Sequence, residues 1–140
     1  MGAEVACVCV LAWLVVLSVY DIRDRRLPNW LTVPGAIVIL VGAAWAGRGT
    51  SALAGAVVLF GLYLVAHVIA PAAMGAGDVK LAIGVGGLTG GFGVDVWVLA
   101  ALGAPLLTAV YALLRRPESA VPHGPSMCLA AAGAAALAVM

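Results

Sequence analysis

The sequence predicts an all-α integral membrane protein, a polytopic bundle of about six transmembrane helices forming a single membrane-embedded domain over residues 1–140. Two observations predict it. First, 65% of the residues are hydrophobic and 9% charged, with a mean hydropathy of +1.19, so a soluble globule could not hide its apolar side chains in one core. Second, the apolar residues fall in long stretches separated by short clusters of charge, proline or glycine, and at about 20 residues per crossing the length limits the chain to roughly six spans. The formal net charge of +1, with no basic run or tail, provides no field for nucleic acid, so partners are expected in the bilayer.

The first apolar stretch runs from about Ala3 to Tyr20 and stops at the charge cluster Asp21-Ile22-Arg23-Asp24-Arg25-Arg26. The charged residue at its start is the acidic Glu4, so the positive n-region expected of a signal peptide is not seen and the stretch is kept as span one. Pro28 disfavours helix at Leu27, Asn29 is placed to cap the next helix, and Trp30 suits an interfacial anchor. Span two is expected over Leu31–Ala46, closed by the turn Gly47-Arg48-Gly49. Thr50 and Ser51 offer caps for span three, which ends near Ala70-Pro71. After a glycine-bearing loop over 72–78, the fourth stretch starts at Val79, and its many glycines predict an early end near Thr89. Span five covers about Val94–Leu114 and span six about Ser126–Val139.

Six spans place loops one, three and five on one side of the membrane. Those loops hold Arg23, Arg25, Arg26, Lys80, Arg115 and Arg116, against Arg48 on the other side. Short loops rich in lysine and arginine face the cytoplasm, so both termini are expected on the extracytoplasmic side. Cys7, Cys9 and Cys128 lie within apolar stretches without C-x-x-C spacing and read as small hydrophobes. The two histidines, His67 and His123, and the scattered acids assemble no metal site, and neither histidine is given chemistry.

This topology brings two acids together. Span one leaves the membrane at Asp21 and span four enters it at Asp78, on the same face, although the residues are far apart in sequence. An acid at the edge of the hydrocarbon is costly unless it faces water, a cavity or a partner, so each is a functional candidate. Two carboxylates a few ångströms apart do not both ionise easily, and the pair then holds an acid and a base at once, the equipment for hydrolysis by an activated water. Taken singly, Asp21 also fits a solvated juxtamembrane cluster and Asp78 a helix cap. Gly75 and Gly77 allow close approach of the backbone to a substrate strand, and Lys80 either tunes the pair or extends toward the interface.

Three segments, in order, carry a family resemblance. Asp21 followed by Pro28-Asn29 looks like the first catalytic segment of the prepilin peptidases, membrane aspartic proteases that remove the leader of type IV pilin precursors. Gly75-Ala76-Gly77-Asp78-Val79-Lys80 is similar to their G-x-G-D-x-K signature, and Pro122-His123-Gly124-Pro125 resembles the P-x-G-P segment before their last helix. The resemblance implies that Asp21 and Asp78 are a catalytic dyad needing no cofactor. It also implies that the partner is a pilin-like precursor with a basic leader, cut at the cytoplasmic face of the inner or plasma membrane just before its hydrophobic helix. Asp24 competes with Asp21, but Asp21 has the proline spacing and lies nearer the membrane. Bifunctional relatives carry an additional N-terminal portion with paired C-x-x-C cysteines, so this chain resembles the short, peptidase-only form and methyltransferase activity is not expected. A small transporter or pilus-assembly scaffold, its acids serving proton transfer or helix pairing, is the alternative from another class.

Overall fold

A computed structural model describes residues 2–24, 26–72, 75–115 and 123–140 of the chain. Arg25, Arg116 and Pro122, which enter the charge pattern and the P-x-G-P resemblance, lie outside the described residues. The described residues form six helices: α1 (Gly2–Asp24), α2 (Asn29–Trp45), α3 (Gly49–Ile69), α4 (Ala76–Phe92), α5 (Val94–Arg115) and α6 (Gly124–Val139). Among them α1, α3 and α5 are long and apolar enough to cross a membrane, and α2 and α6 are shorter apolar helices of 17 and 16 residues.

The expected spans differ from these helices mainly at their ends. α1 runs one turn beyond Tyr20 and takes Asp21 into the helix, because nothing in 21–24 breaks the backbone pattern before Pro28. Pro28, not Asn29, is the residue ahead of α2, and Arg48 precedes α3, where Ser51 Oγ donates to the Arg48 carbonyl at 3.1 Å. α4 begins at Ala76, so Asp78 sits inside its first turn. Its glycines do not end it near Thr89. The helix continues to Phe92 and stops at Gly93, whose φ of +129° suits glycine.

Those glycines are kept in the helix by what they pack against. A Cβ on Gly86 would lie 2.5 Å from the Gly55 carbonyl oxygen, and one on Gly90 would lie 2.7 Å from the Ser51 oxygen. The α3 and α4 backbones therefore touch directly, an arrangement that suits a bilayer, where close van der Waals packing must replace the hydrophobic effect between helices. Because Ser51 and Gly55 meet Gly90 and Gly86, α3 and α4 run antiparallel. Trp13 of α1 lies over Gly35 of α2 and Gly84 of α4, and its Nε1 donates to the Leu31 carbonyl at 2.9 Å. α6 packs on α1, α4 and α5. The end of α1 and the starts of α2, α4 and α6 thus share one end of the bundle. At the other end the Arg48 guanidinium donates to the Gly91 carbonyl, 3.3 Å away, near the C-terminus of α4.

Burial is arranged as a bilayer requires. Leu17, Leu81 and Met127 are enclosed, whereas Val8, Val68 and Leu114 are turned outward. Cys7 and Cys9 also face outward and Cys128 is in the core. The buried Thr32 and Thr89 return their hydroxyls to carbonyls four residues back, at 3.2 and 2.8 Å, Thr32 to Pro28 just ahead of α2 and Thr89 to Val85 within α4.

The α3–α4 contact predicts a contrast between two glycines of the same helix. Gly55→Val should lower stability in detergent by about 1–3 kcal/mol, while Gly61→Val, where a Cβ meets nothing within 4 Å, should change it by less than about 1 kcal/mol. Thermal unfolding of the two variants beside the parent measures the difference.

Candidate active site

Asp21 is carried by the last turns of α1 and is only 7% exposed. A carboxyl in that position needs hydrogen bonds. One comes from the other end of the chain: the Gly124 backbone N–H donates to Asp21 Oδ2 at 2.9 Å. Gly124 is the first residue of α6, so its N–H has no partner within its own helix, and the carboxylate satisfies an orphan donor while being held by it. The fit requires glycine, since a Cβ there would stand 2.5 Å from the same oxygen.

Asp78 occupies the first turn of α4 behind Gly75, its backbone N–H donating to the Gly75 carbonyl at 3.2 Å, and its Oδ2 would lie 3.6 Å from a Cβ at residue 75. Asp78 is close enough to Asp21 for the two charges to act on each other. Both line an open cavity of about 810 Å³, together with Asp24, Leu27, Asn29 and Lys80. The structure therefore brings together the two acids on which the sequence reading centred, and it places Asp24 on the same cavity in an exposed position one turn beyond Asp21.

The other expected site residues lie around the same cavity. Gly75 is extended, with φ −72° and ψ 148°, a conformation open to any residue. Gly77 is helical, and its missing side chain makes room for Leu27, whose Cβ would be 3.2 Å from a Cβ at that position. Leu27 is buried there and pins the segment between α1 and α2 against the start of α4. Lys80 Nζ donates to Asn29 Oδ1 at 2.8 Å, so the lysine ties α4 to the first residue of α2 at the cavity wall. Trp30 is exposed on the same side and stacks edge-on against Tyr20, ring centroids 5.9 Å apart.

A histidine to which the sequence assigns no chemistry belongs to this neighbourhood. His123, immediately ahead of α6, bonds through Nε2 to the Tyr63 hydroxyl at 2.8 Å and through Nδ1 to the Thr108 hydroxyl at 2.6 Å. It lies outside the helical spans, and burial pushes its imidazole down from the usual 6.5 to about 4, so it is neutral at physiological pH. Its sequence signal is the Pro-His-Gly-Pro string, which names the histidine but not Tyr63 of α3 or Thr108 of α5 as its partners.

Two carboxyl groups facing one water-accessible cavity can supply acid and base to a single hydrolytic step. The Gly124–Asp21 bond generates a test that needs no substrate. Gly124→Ala should cost about 1–3 kcal/mol of stability, and the same change in an Asp21→Ala background should cost less than about 1 kcal/mol, because the clash and the lost bond both involve the carboxylate. A thermal-unfolding double-mutant cycle measures the coupling.

Compared with known proteins, residues 8–113 match the model of the type IV leader peptidase family. The match covers Asp21 and Asp78 and ends ahead of α6. No curated protein and no solved structure matches the chain.

Proposed function

This chain belongs to the type IV leader peptidase family, and from that premise we propose that it is an aspartic endopeptidase that removes the basic leader peptide of type IV pilin-like precursors at the cytoplasmic membrane face. The observation that carries the aspartic mechanism is the meeting of Asp21 and Asp78 on one open cavity at one end of the bundle. In the proposed step a water lies between the carboxyls. The ionised one accepts a proton from the water as its oxygen attacks the scissile carbonyl carbon, and the protonated one donates to the carbonyl oxygen. A tetrahedral diol results. The C–N bond then breaks as the protonated carboxyl gives its proton to the leaving nitrogen and the ionised one takes a proton from a diol hydroxyl, releasing a carboxylic acid and an amine and leaving the pair with one proton, as it began.

The position of the cavity supports the substrate class. A precursor whose hydrophobic helix enters the bilayer beside the bundle would present the extended segment just ahead of that helix at the interface, where the dyad lies. The charges support the orientation. Arg23, Arg26 and Lys80 belong to the dyad end, whereas Arg48 binds Gly91 at the opposite end, so the positive-inside rule puts the dyad toward the cytoplasm and, for six spans, both termini outside. A transporter would more naturally keep its acids near the bilayer midplane. A peptidase of this kind needs no metal ion or other cofactor.

The reading predicts a sharp mutational result. Co-expressed with a pilin-like precursor encoded near it, the parent should convert the precursor to the shorter form. Asp21→Asn and Asp78→Asn should each slow conversion by about 1,000-fold or more, and Asp24→Asn by no more than about 10-fold. Precursor size on a gel after a fixed time measures this, and efficient processing by either of the first two variants would overturn the dyad.

A further inference from the structure

Within the bundle, α6 is one of the elements that relate Asp21 to Asp78. α1 reaches α4 through side chains such as Trp13, while α6 packs on both helices and contributes the N–H that holds Asp21. Whatever fixes the start of α6 therefore fixes one half of the dyad. The start of α6 is tied through His123 to α3 and α5, since its ring bonds Tyr63 on one side and Thr108 on the other and lies against the Tyr63 ring with centroids 5.6 Å apart.

Donor counting gives the ring a definite state. The Thr108 hydroxyl lies 3.1 Å from the Ala104 carbonyl as well as 2.6 Å from His123 Nδ1. A carbonyl can only accept, so the single hydroxyl proton goes to Ala104 and His123 Nδ1–H donates to the threonine oxygen. Nε2 is then bare and accepts the proton of the Tyr63 hydroxyl, whose residue is 8% exposed and needs a partner. In this arrangement each of the three donors has an acceptor within the protein.

We propose that His123 is a positioning residue for the peptidase reaction: as a neutral Nδ1–H imidazole it bridges Tyr63 and Thr108, fixes the start of α6, and so aims the Gly124 N–H that holds the Asp21 carboxyl in the cavity shared with Asp78. The proposal rests on the peptidase reading above. It concerns a residue beyond the stretch matched to the family. Its action is on geometry, since His123 is not among the described residues that line the cavity shared by Asp21 and Asp78.

Two measurements on the whole protein in detergent test it. In the first, ¹⁵N-histidine NMR, with His123→Gln used to assign the signals against His67, should show an Nδ1–H tautomer whose shifts move in Tyr63→Phe and in Thr108→Val. An Nε2–H tautomer, or no response to either change, overturns the proposal whether or not the protein is a peptidase. The second is steady-state cleavage of a precursor that the parent processes, with Asp21→Asn as the inactive control. His123→Phe should lower kcat by about 10- to 100-fold with KM changed by no more than about twofold, because the substrate surface is intact and the carboxyl is misplaced. His123→Gln, which can both donate and accept, should recover most of that loss.

If His123→Phe does not fold, Tyr63→Phe and Thr108→Val, which each delete one hydroxyl, carry the kinetic test. Each should lower kcat by about 3- to 10-fold, and the pair together should lose less than the product of the single losses. Unchanged kcat in folded His123→Phe, or full kcat in both hydroxyl deletions, overturns the positioning role while leaving the dyad standing. Activity retained in Asp21→Asn overturns the peptidase reading itself, and with it the positioning role.

Discussion

A carboxyl buried at the end of an apolar bundle must be satisfied, and in this protein the satisfaction of Asp21 joins the first helix to the last. Its Oδ2 accepts the Gly124 N–H, a donor that the start of α6 would otherwise leave without a partner. The contact works because residue 124 has no Cβ. Much of the site meets at it: the start of α6, where His123 lies between Tyr63 and Thr108, is joined to the end of α1, and one face of the cavity acquires a carboxyl with a fixed direction.

The other carboxyl depends on a different device. Asp78 is placed by the first turn of α4, and α4 is placed by the direct backbone contact of Gly86 and Gly90 with α3 and by Trp13 lying over Gly84. Small residues replace the hydrophobic drive that is missing between helices in lipid. Leu27, packed against Gly77, and Lys80, bonded to Asn29, then tie the segment ahead of α2 and the first residue of α2 to the start of α4, so two connections converge on the cavity wall. Rigid helices carry both acids, which favours a defined separation over a loosely held pair.

The helices were legible because hydropathy and helix-breaking residues report directly on the bilayer, and the six stretches correspond to six helices among the described residues. Their ends were less so. Glycine content suggested that α4 would stop near Thr89, yet intrinsic propensity was overridden by packing against α3, which no single-stretch reading contains. Asp21 and Asp78 were legible as neighbours because charge placement fixed the direction of each helix. Gly124 as a partner of Asp21, and Tyr63 and Thr108 as partners of His123, were not, because they depend on helix rotation about its axis, and the outward and inward faces of these apolar helices differ too little in composition to reveal it.

The central claim is that Asp21 and Asp78 act together on a tetrahedral intermediate, and an inhibitor that imitates that intermediate tests it most directly. A precursor-derived peptide with a hydroxyl-bearing tetrahedral carbon in place of the scissile carbonyl should bind the parent protein about 100-fold or more tightly than the same peptide with a methylene there. Calorimetry in detergent should find that preference lost in Asp21→Asn and in Asp78→Asn. Equal affinity of the parent for the two peptides, or a preference that survives either substitution, would contradict a shared dyad.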